Sequence, residues 1–135
     1  MRTGKCSCRA VNDAVDSGYH AGSMLPTLNR SVVMVTPKQP FLDWLLSVDP
    51  ASAEVAVEVV CKPVFYLLPA CEDDAVLEEY VRDACKTIFE DQLDGWYRGR
   101  SRWPVVRNFN TFRLWFEYRA DALVLDLGDE LLRHD

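Results

Sequence analysis

Basic and aromatic side chains alternate in a short stretch around Gly99, which we call the arginine–aromatic loop. Its members are Trp96, Tyr97, Arg98, Arg100, Arg102 and Trp103, and Arg107 and Arg113 follow soon after. Alternating rings and cations can grip single-stranded nucleic acid by stacking and by charge. The same residue types are enriched at protein–protein interfaces. Because the whole chain carries a net charge of −6, we favour protein contact and argue against nucleic acid as the partner.

A possible counterpart for this loop is the outer face of the helix predicted over residues 72–93. The face is acidic and is relieved only by Arg82 and Lys86; its acids are Glu78, Glu79, Asp83, Glu90, Asp91 and Asp94. Such a face is most often only solvated, but it can also receive the arginines of another molecule. The first hypothesis is therefore a small interaction or regulatory module that forms a homodimer, or binds another protein, through this loop and this face.

Lys38, Asp43 and Arg107 form a second candidate site, because they are charged residues set among apolar ones. An unpaired buried carboxylate is costly, so Asp43 is expected to find a cation such as Arg107 or Arg30. A structural ion pair between helix and sheet satisfies that expectation. The alternative is a pocket at the strand ends, where Lys38 and Arg107 hold a small anionic ligand and Asp43 acts as a base.

Familiar catalytic signatures are missing from the sequence. No nucleophile has a nearby histidine, and there is neither a phosphate-binding glycine loop nor a dinucleotide fingerprint. Cys6 and Cys8 stand closer together than the usual zinc ligands, while His20 and His134 stand alone. We therefore expect no metal and no cofactor, and the sequence leaves open whether the protein is an enzyme.

Cysteine usage and hydropathy bear on where the protein works. The five cysteines are odd in number and scattered, which is typical of reduced thiols in the cytoplasm. No signal peptide is evident, and the apolar runs are far shorter than the roughly 20 residues of a membrane span. The sequence predicts a cytoplasmic protein without a membrane partner.

Two apolar runs predict core strands on either side of a first helix. The run of residues 32–35 is β-branched and continuous, as in a strand buried on both faces, and it predicts a strand over residues 30–36. Pro40 suits the first turn of the helix that follows. Residues 64–68 predict the second strand. Between them, residues 51–62 alternate like a strand but run into Pro63, so a short helix or irregular connection is favoured.

The second half of the chain predicts two more helices and a closing strand. Leu77, Val81, Ala84, Cys85 and Ile88 form a helical core stripe, and Gly95 is placed to end that helix. Asn108 can cap a third helix whose aromatic face continues through residue 118. The run 123–127 then predicts the third strand.

The resulting order is β-α-β-α-α-β, which predicts a small two-layer α/β (α+β) domain with a three-stranded sheet and about three helices. A right-handed β-α-β crossover would place the first helix on one face of that sheet. Residues 1–28 have no sustained period and are predicted to be a flexible or loosely packed extension. Residues 29–135 form the single domain.

Several short motifs are spread over this domain: PKQPFLDW at residues 37–44, YLLP at 66–69, GWY at 95–97, WPVVR at 103–107, WF at 115–116 and DL at 126–127. With them, residues 29–127 resemble a family of small uncharacterised bacterial proteins. The resemblance implies a domain that starts near Asn29 and no assigned activity. Where that family often has a His-Ser pair, this chain has Asp121 and Ala122.

Overall fold

Three antiparallel strands and the helices beside them form the fold in this computed structural model, which describes residues 25–135. The strands are β1 (Arg30–Pro37), β2 (Val64–Pro69) and β3 (Phe116–Asp121), in the spatial order β2-β1-β3. The helices are α1 (Gln39–Val48), α2 (Val57–Val60), α3 (Asp74–Trp96) and α4 (Phe109–Trp115), with 3₁₀ turns at Pro50–Glu54 and Arg100–Arg102. The predicted α/β class and element order are confirmed.

Burial along β1 alternates strictly from one residue to the next. Val33 and Val35 are fully buried, whereas Val32 and Met34 are only half-buried. The prediction of a strand buried on both faces is therefore wrong. Two neighbouring strands flank β1, but the described helices cover only the face that carries Val33 and Val35.

The sheet is antiparallel throughout, with β1 paired to β2 on one side and to β3 on the other. The crossover rule invoked from the sequence applies to parallel strands, so it does not operate here. The β1–β2 connection instead contains α1, the 3₁₀ turn and α2. This agrees with the short helix or irregular connection expected for residues 51–62.

The third strand lies earlier than predicted. It spans Phe116–Asp121, directly after α4, while Leu123 and Leu127 are exposed. Residues 122–127 therefore do not form a closing core strand. Residues 124–126 instead pair with residues 26–28. The amide of Leu28 donates to the carbonyl of Val124 over 2.6 Å, and the amide of Asp126 donates to the carbonyl of Pro26 over 3.0 Å.

Local capping explains where the two later helices begin. The Asp73 carboxylate accepts from the amide of Ala75 at the start of α3, and the Asn108 side chain accepts from the amide of Thr111 in α4. Gly95 lies inside α3, which ends at Trp96 rather than at the glycine. The predicted core stripe of α3 is buried at Leu77, Val81, Cys85 and Ile88, with Ala84 packed against it.

Aromatic side chains fill the space between the sheet and the helices. Phe89 of α3 is fully buried, and its ring centroid lies 5.3 Å from that of Trp115 and 5.1 Å from that of Phe116. Phe41 of α1 lies 5.5 Å from Phe116, and Phe112 of α4 lies 5.1 Å from it. One continuous aromatic cluster thus ties α1, α3, α4 and β3 together.

No helix in the described part of the chain is long and apolar enough to cross a membrane. Most of the predicted N-terminal extension, residues 1–24, lies outside the described residues, and so do Cys6, Cys8 and His20. Residues 26–28 of that extension are joined to the domain by their pairing with residues 124–126.

We predict that Phe89→Ala lowers the free energy of unfolding by about 3–5 kcal/mol, because it removes the ring at the centre of the aromatic cluster and leaves a cavity. Phe65→Ala is the matched control, because Phe65 is 64% exposed on β2 and its loss should cost less than about 1 kcal/mol. Urea unfolding of dilute protein measures both changes. Equal losses in the two variants would contradict this description of the core.

Candidate functional site

The arginine–aromatic loop leaves α3 and folds back onto the domain. Tyr97 caps the end of α3, and the Trp103 indole nitrogen donates to the Tyr97 carbonyl over 2.7 Å. Trp103 is only 6% exposed and belongs to the hydrophobic core. Its ring is therefore not accessible to a partner, whereas Arg98 at the tip of the loop is exposed.

A second anchor fixes the other end of the loop to α1. The carbonyl of Arg102 accepts from the indole nitrogen of Trp44 over 2.9 Å, and the Arg102 guanidinium donates to the carbonyl of Ser47 over 3.3 Å. Trp44 is itself buried in the core. The bond between Trp103 and Tyr97 thus closes the loop on itself. The loop is joined to the rest of the chain by the Tyr97 amide, which donates to the carbonyl of Leu93 in α3, and by the bonds between Arg102 and α1.

Glu90 of α3 receives two arginines from the same chain. Arg107 lies 2.9 Å from Glu90 through its Nε, and Arg100 lies 3.6 Å from the other carboxylate oxygen. Both guanidinium groups also stand against the ring of Trp103, at 4.8 Å for Arg100 and 5.8 Å for Arg107. The pairing of loop arginines with the acidic helix face, expected between two molecules, forms here within one.

The structure does not bring Lys38, Asp43 and Arg107 into one site. The ammonium of Lys38 donates to the carbonyl of Arg113 over 3.0 Å, where it meets one of the free carbonyls at the end of α4. Asp43 is exposed and accepts from Gln39 one turn earlier in α1. Arg107 binds Glu90, so the expected ion pair between Asp43 and Arg107 or Arg30 does not form.

Arg107 does line a shallow cleft between α3 and the segment before α4. The cleft holds about 440 Å³, and its polar lining includes Arg82, Lys86 and Asn108 besides Arg107. Phe109 forms part of its wall, and the Arg82 guanidinium lies 4.3 Å from the centre of that ring. Neither Lys38 nor Asp43 reaches this cleft. Three cationic side chains and no carboxylate line it, which suits an anion.

A larger feature is the side of the sheet opposite the helices, which we call the open face. Phe65 and Leu67 of β2 are 64% and 54% exposed there, and their cross-strand partners on β1 are Met34 and Val32. On the other edge, β3 presents Glu117, Arg119 and Asp121 to the same face. Arg119 and Asp121 form an ion pair of 3.2 Å.

The open face was not identified from the sequence, because its central residues lie in a continuous apolar run. In the run of residues 32–35, the buried and the half-buried positions are all apolar, so no alternation marks which side is uncovered. β3 does alternate, with Phe116 and Tyr118 on the covered side and Glu117 and Arg119 on the other. Because Phe116 and Tyr118 also fit the aromatic face of a helix, the alternation typical of a strand is not evident in the sequence at this point.

Two tyrosines on the covered side hold the edge strands and so position the open face. The Tyr66 hydroxyl donates to the Asp91 carboxylate over 2.6 Å and accepts from the Gln92 amide over 2.9 Å. The Tyr118 hydroxyl donates to the Glu78 carboxylate over 2.9 Å. Each bond joins an edge strand to α3. The residues next to each tyrosine in its strand point to the opposite side of the sheet, onto the open face.

These environments disfavour ionised phenols. Burial, followed by the hydrogen bond to Glu78, raises the pKa of Tyr118 to about 12. Burial and the hydrogen bond to Asp91 raise the pKa of Tyr66 as well. Both tyrosines are therefore neutral hydrogen-bond donors at neutral pH, which suits anchoring and not proton transfer.

No group of three or more potential metal ligands occurs within residues 25–135. Cys61, Cys71 and Cys85 are free thiols in this part of the chain. Burial raises the pKa of each of them, so the thiol form predominates over the nucleophilic thiolate. The described cysteines therefore offer no activated nucleophile.

We predict that the Tyr118 phenol ionises near pH 12 in an ultraviolet titration, read as the difference between the wild type and Tyr118→Phe. The folded pKa exceeds the unfolded value of about 10. The stability from this group is therefore complete below pH 10 and is lost as the pH rises through about 12.

In urea unfolding between pH 10 and 12, the wild type should therefore lose stability more steeply than Tyr118→Phe. Glu78→Gln removes the carboxylate that accepts the phenol proton, so it should move the ionisation of Tyr118 to lower pH. A difference titration centred at pH 10 in the wild type would contradict the anchoring role of this tyrosine.

Models of protein families, curated proteins and solved structures were each compared with this chain, and none of them matches it. The resemblance to small bacterial proteins therefore stays a prediction. The function of this chain has to be inferred from its own residues.

Proposed function

We propose that this protein is a small interaction module that self-associates by packing the open face of its sheet against the open face of a second copy. The observation that supports it is the exposure of Phe65 and Leu67 beside the half-buried Val32 and Met34. Large apolar side chains grouped on one exposed surface are typical of interaction sites. Stacking two such faces is the standard way in which antiparallel sheets bury them.

The second copy is favoured because the open face carries charges of both signs. Arg30 and Arg119 share it with Glu117 and Asp121. A surface that is apolar in one part and carries both charge signs in another can complement itself, as a two-fold interface requires. A uniformly charged margin would instead repel another copy.

The dimensions of the sheet indicate a weak dimer. Three strands spaced about 4.8 Å apart, with about six paired residues of about 3.3 Å rise each, give a patch of roughly 14 by 20 Å. Even with interdigitating side chains, this falls short of the roughly 800 Å² that each partner buries in a standard-sized interface. We expect a dissociation constant on the order of micromolar or weaker.

This proposal moves the contact surface away from the arginine–aromatic loop. Arg100 and Arg107 already bind Glu90 of their own chain, and Trp103 is buried. The loop therefore retains few groups that a partner could satisfy. The proposal keeps the interaction role inferred from the sequence and assigns it to a different surface.

The proposal retains a cytoplasmic location. Its support is the free state of Cys61, Cys71 and Cys85, since a reducing compartment keeps thiols in that state.

We predict that sedimentation velocity shows a monomer–dimer equilibrium in the wild type and that Leu67→Asp abolishes it. A carboxylate at this position would have to be buried against the apolar side chains of the partner. Leu114→Asp is the matched control: Leu114 is a leucine of similar exposure on α4, at 64% against 54% for Leu67, and its replacement should leave the dimer unchanged. Arg100→Ala should also leave it unchanged.

The protection of Met34 from chemical oxidation, measured at several protein concentrations, identifies what covers the open face. Protection that appears only in concentrated protein supports a second copy. Protection that is already complete in dilute protein, with a monomer at all concentrations, would mean that the chain covers its own face, and it would overturn the proposal. Loss of the dimer in Arg100→Ala but not in Leu67→Asp would show that the dimer contact lies at the arginine–aromatic loop and not on the open face.

A second candidate function is the binding of a small anion in the cleft between α3 and the segment before α4. The observation that favours it is the convergence of Arg82, Lys86 and Arg107 on about 440 Å³ of open space. Glu78 and Glu90 neutralise part of this charge, since they pair with Arg82 and Arg107. This candidate retains Arg107 from the predicted anion site and replaces Lys38 and Asp43 by Arg82 and Lys86.

We predict that inorganic phosphate raises the melting temperature of the wild type more than chloride does at equal ionic strength, because binding to the folded state stabilises it. Lys86→Gln should reduce the difference to the general stabilisation that phosphate gives any folded protein by being excluded from its surface. Lys62→Gln is the control, since Lys62 is an exposed lysine in the connection before β2 and outside the cleft. An identical response in wild type and Lys86→Gln would exclude the cleft as the phosphate site.

A further inference from the structure

The register of the sheet defines a grid of side chains on the open face. One row contains Leu67, Val32 and Asp121, and the next contains Phe65, Met34 and Arg119. Each row runs across β2, β1 and β3 in that order. The two outer rows carry Arg30 on β1 at one end and Thr36 with Glu117 at the other.

We infer that two copies stack face to face about a two-fold axis that runs across the strands, between the row of Val32 and the row of Met34. This inference rests on the proposed self-association and specifies its geometry. Rotation about this axis places β2 over β2 and β3 over β3 of the partner, with strand directions reversed. The row of Leu67 then faces the row of Phe65 in the other copy, and the converse holds by symmetry.

The apolar contacts in this arrangement lie together. Leu67 meets Phe65 of the second copy, and Val32 meets its Met34, so the columns of β1 and β2 form a continuous apolar centre. The charged column of β3 lies at one margin, where interfaces are usually polar and wet. An axis parallel to the strands would instead set Phe65 and Leu67 against Arg119 and Asp121, and would leave those charges facing apolar side chains.

The charges select the position of the axis. Between the rows of Val32 and Met34, Arg119 of each copy faces Asp121 of the other, and the four groups form a square of alternating sign. Viewed down the stack of sheets, Arg30 is then offset by about one strand spacing, about 4.8 Å, from the strand position of Glu117 in the other copy. An axis through the row of Met34 would oppose two Arg119 side chains, and one through the row of Val32 would oppose two Asp121 side chains.

A displacement by one further row restores opposite charges, because Arg119 would then face Glu117. It would, however, leave Leu67 without a partner and set Met34 against Thr36. Only the axis between Val32 and Met34 satisfies the apolar and the charged columns together.

Two single charge reversals test this register in the full-length chain. In a dimer of one variant, Arg119→Asp makes all four groups of the square acidic, and Asp121→Arg makes all four basic. Each variant alone therefore repels its own copy, and we expect its dimer to be about tenfold weaker than that of the wild type, because like charges then face each other. An equimolar mixture pairs acids with bases and should recover dimer formation close to the wild-type level.

The double variant R119D/D121R should also dimerise like the wild type, because it reverses both signs. Arg119 is exposed and Asp121 is partly exposed in the monomer, so circular dichroism of dilute protein should be unchanged in every variant. Sedimentation velocity measures the dimer in each sample and in the mixture.

The outcomes separate this inference from the proposed function. If the mixture stays as weak as its components while Leu67→Asp still abolishes the dimer, the open face is the interface and the inferred register is wrong. If the wild type is monomeric at every concentration, the proposed self-association fails, and the register fails with it. Preferential heterodimer formation in the mixture supports both.

Discussion

Aromatic packing beneath the sheet decides on which side the helices lie. The ring of Phe89 meets Phe112 and Trp115 of α4 and Phe116 of β3, and Phe41 reaches the same Phe116 from α1. Every described helix longer than one turn is thereby held against one face of the sheet. None of the described helices covers the other face, so the described residues leave its apolar side chains uncovered.

An uncovered apolar face next to two exposed sheet edges can associate non-specifically with other apolar surfaces. The charged column of β3 limits this, because Arg119 and Asp121 oppose like charges in most registers that the apolar column of β2 would tolerate. In the proposed dimer, the apolar residues would supply the driving force for association, and the charges would restrict which arrangement is allowed. The weakness expected from the small patch would make the proposed dimer responsive to the concentration of the protein.

The sequence is sufficient to predict an element when its hydrophobic pattern repeats over several turns. The stripe of α3 repeats over about three turns, from Leu77 to Ile88, so its helix and most of its buried residues could be predicted. The exposed side of β1 could not be predicted, because Val32 and Val33 are equally apolar. Only the packing of helices that are distant in sequence distinguishes the two residues. β3 was misplaced because Phe116 and Tyr118 fit a helical face as well as a short strand. The carboxylate that pairs with Arg107 was also beyond prediction, since Glu90 lies in another element, 17 residues away.

The arrangement of charges argues that the polar residues most conspicuous in the sequence are structural. Glu90 holds Arg100 and Arg107 together against the ring of Trp103, so the basic loop and the acidic helix neutralise each other within one chain. Lys38 similarly meets the carbonyl end of α4. Once these groups are paired internally, complementarity for a second copy has to come from elsewhere. In the proposed dimer the open face supplies it, because Arg119 and Asp121 pair along their own strand in the monomer and could pair across the proposed two-fold axis without breaking that contact.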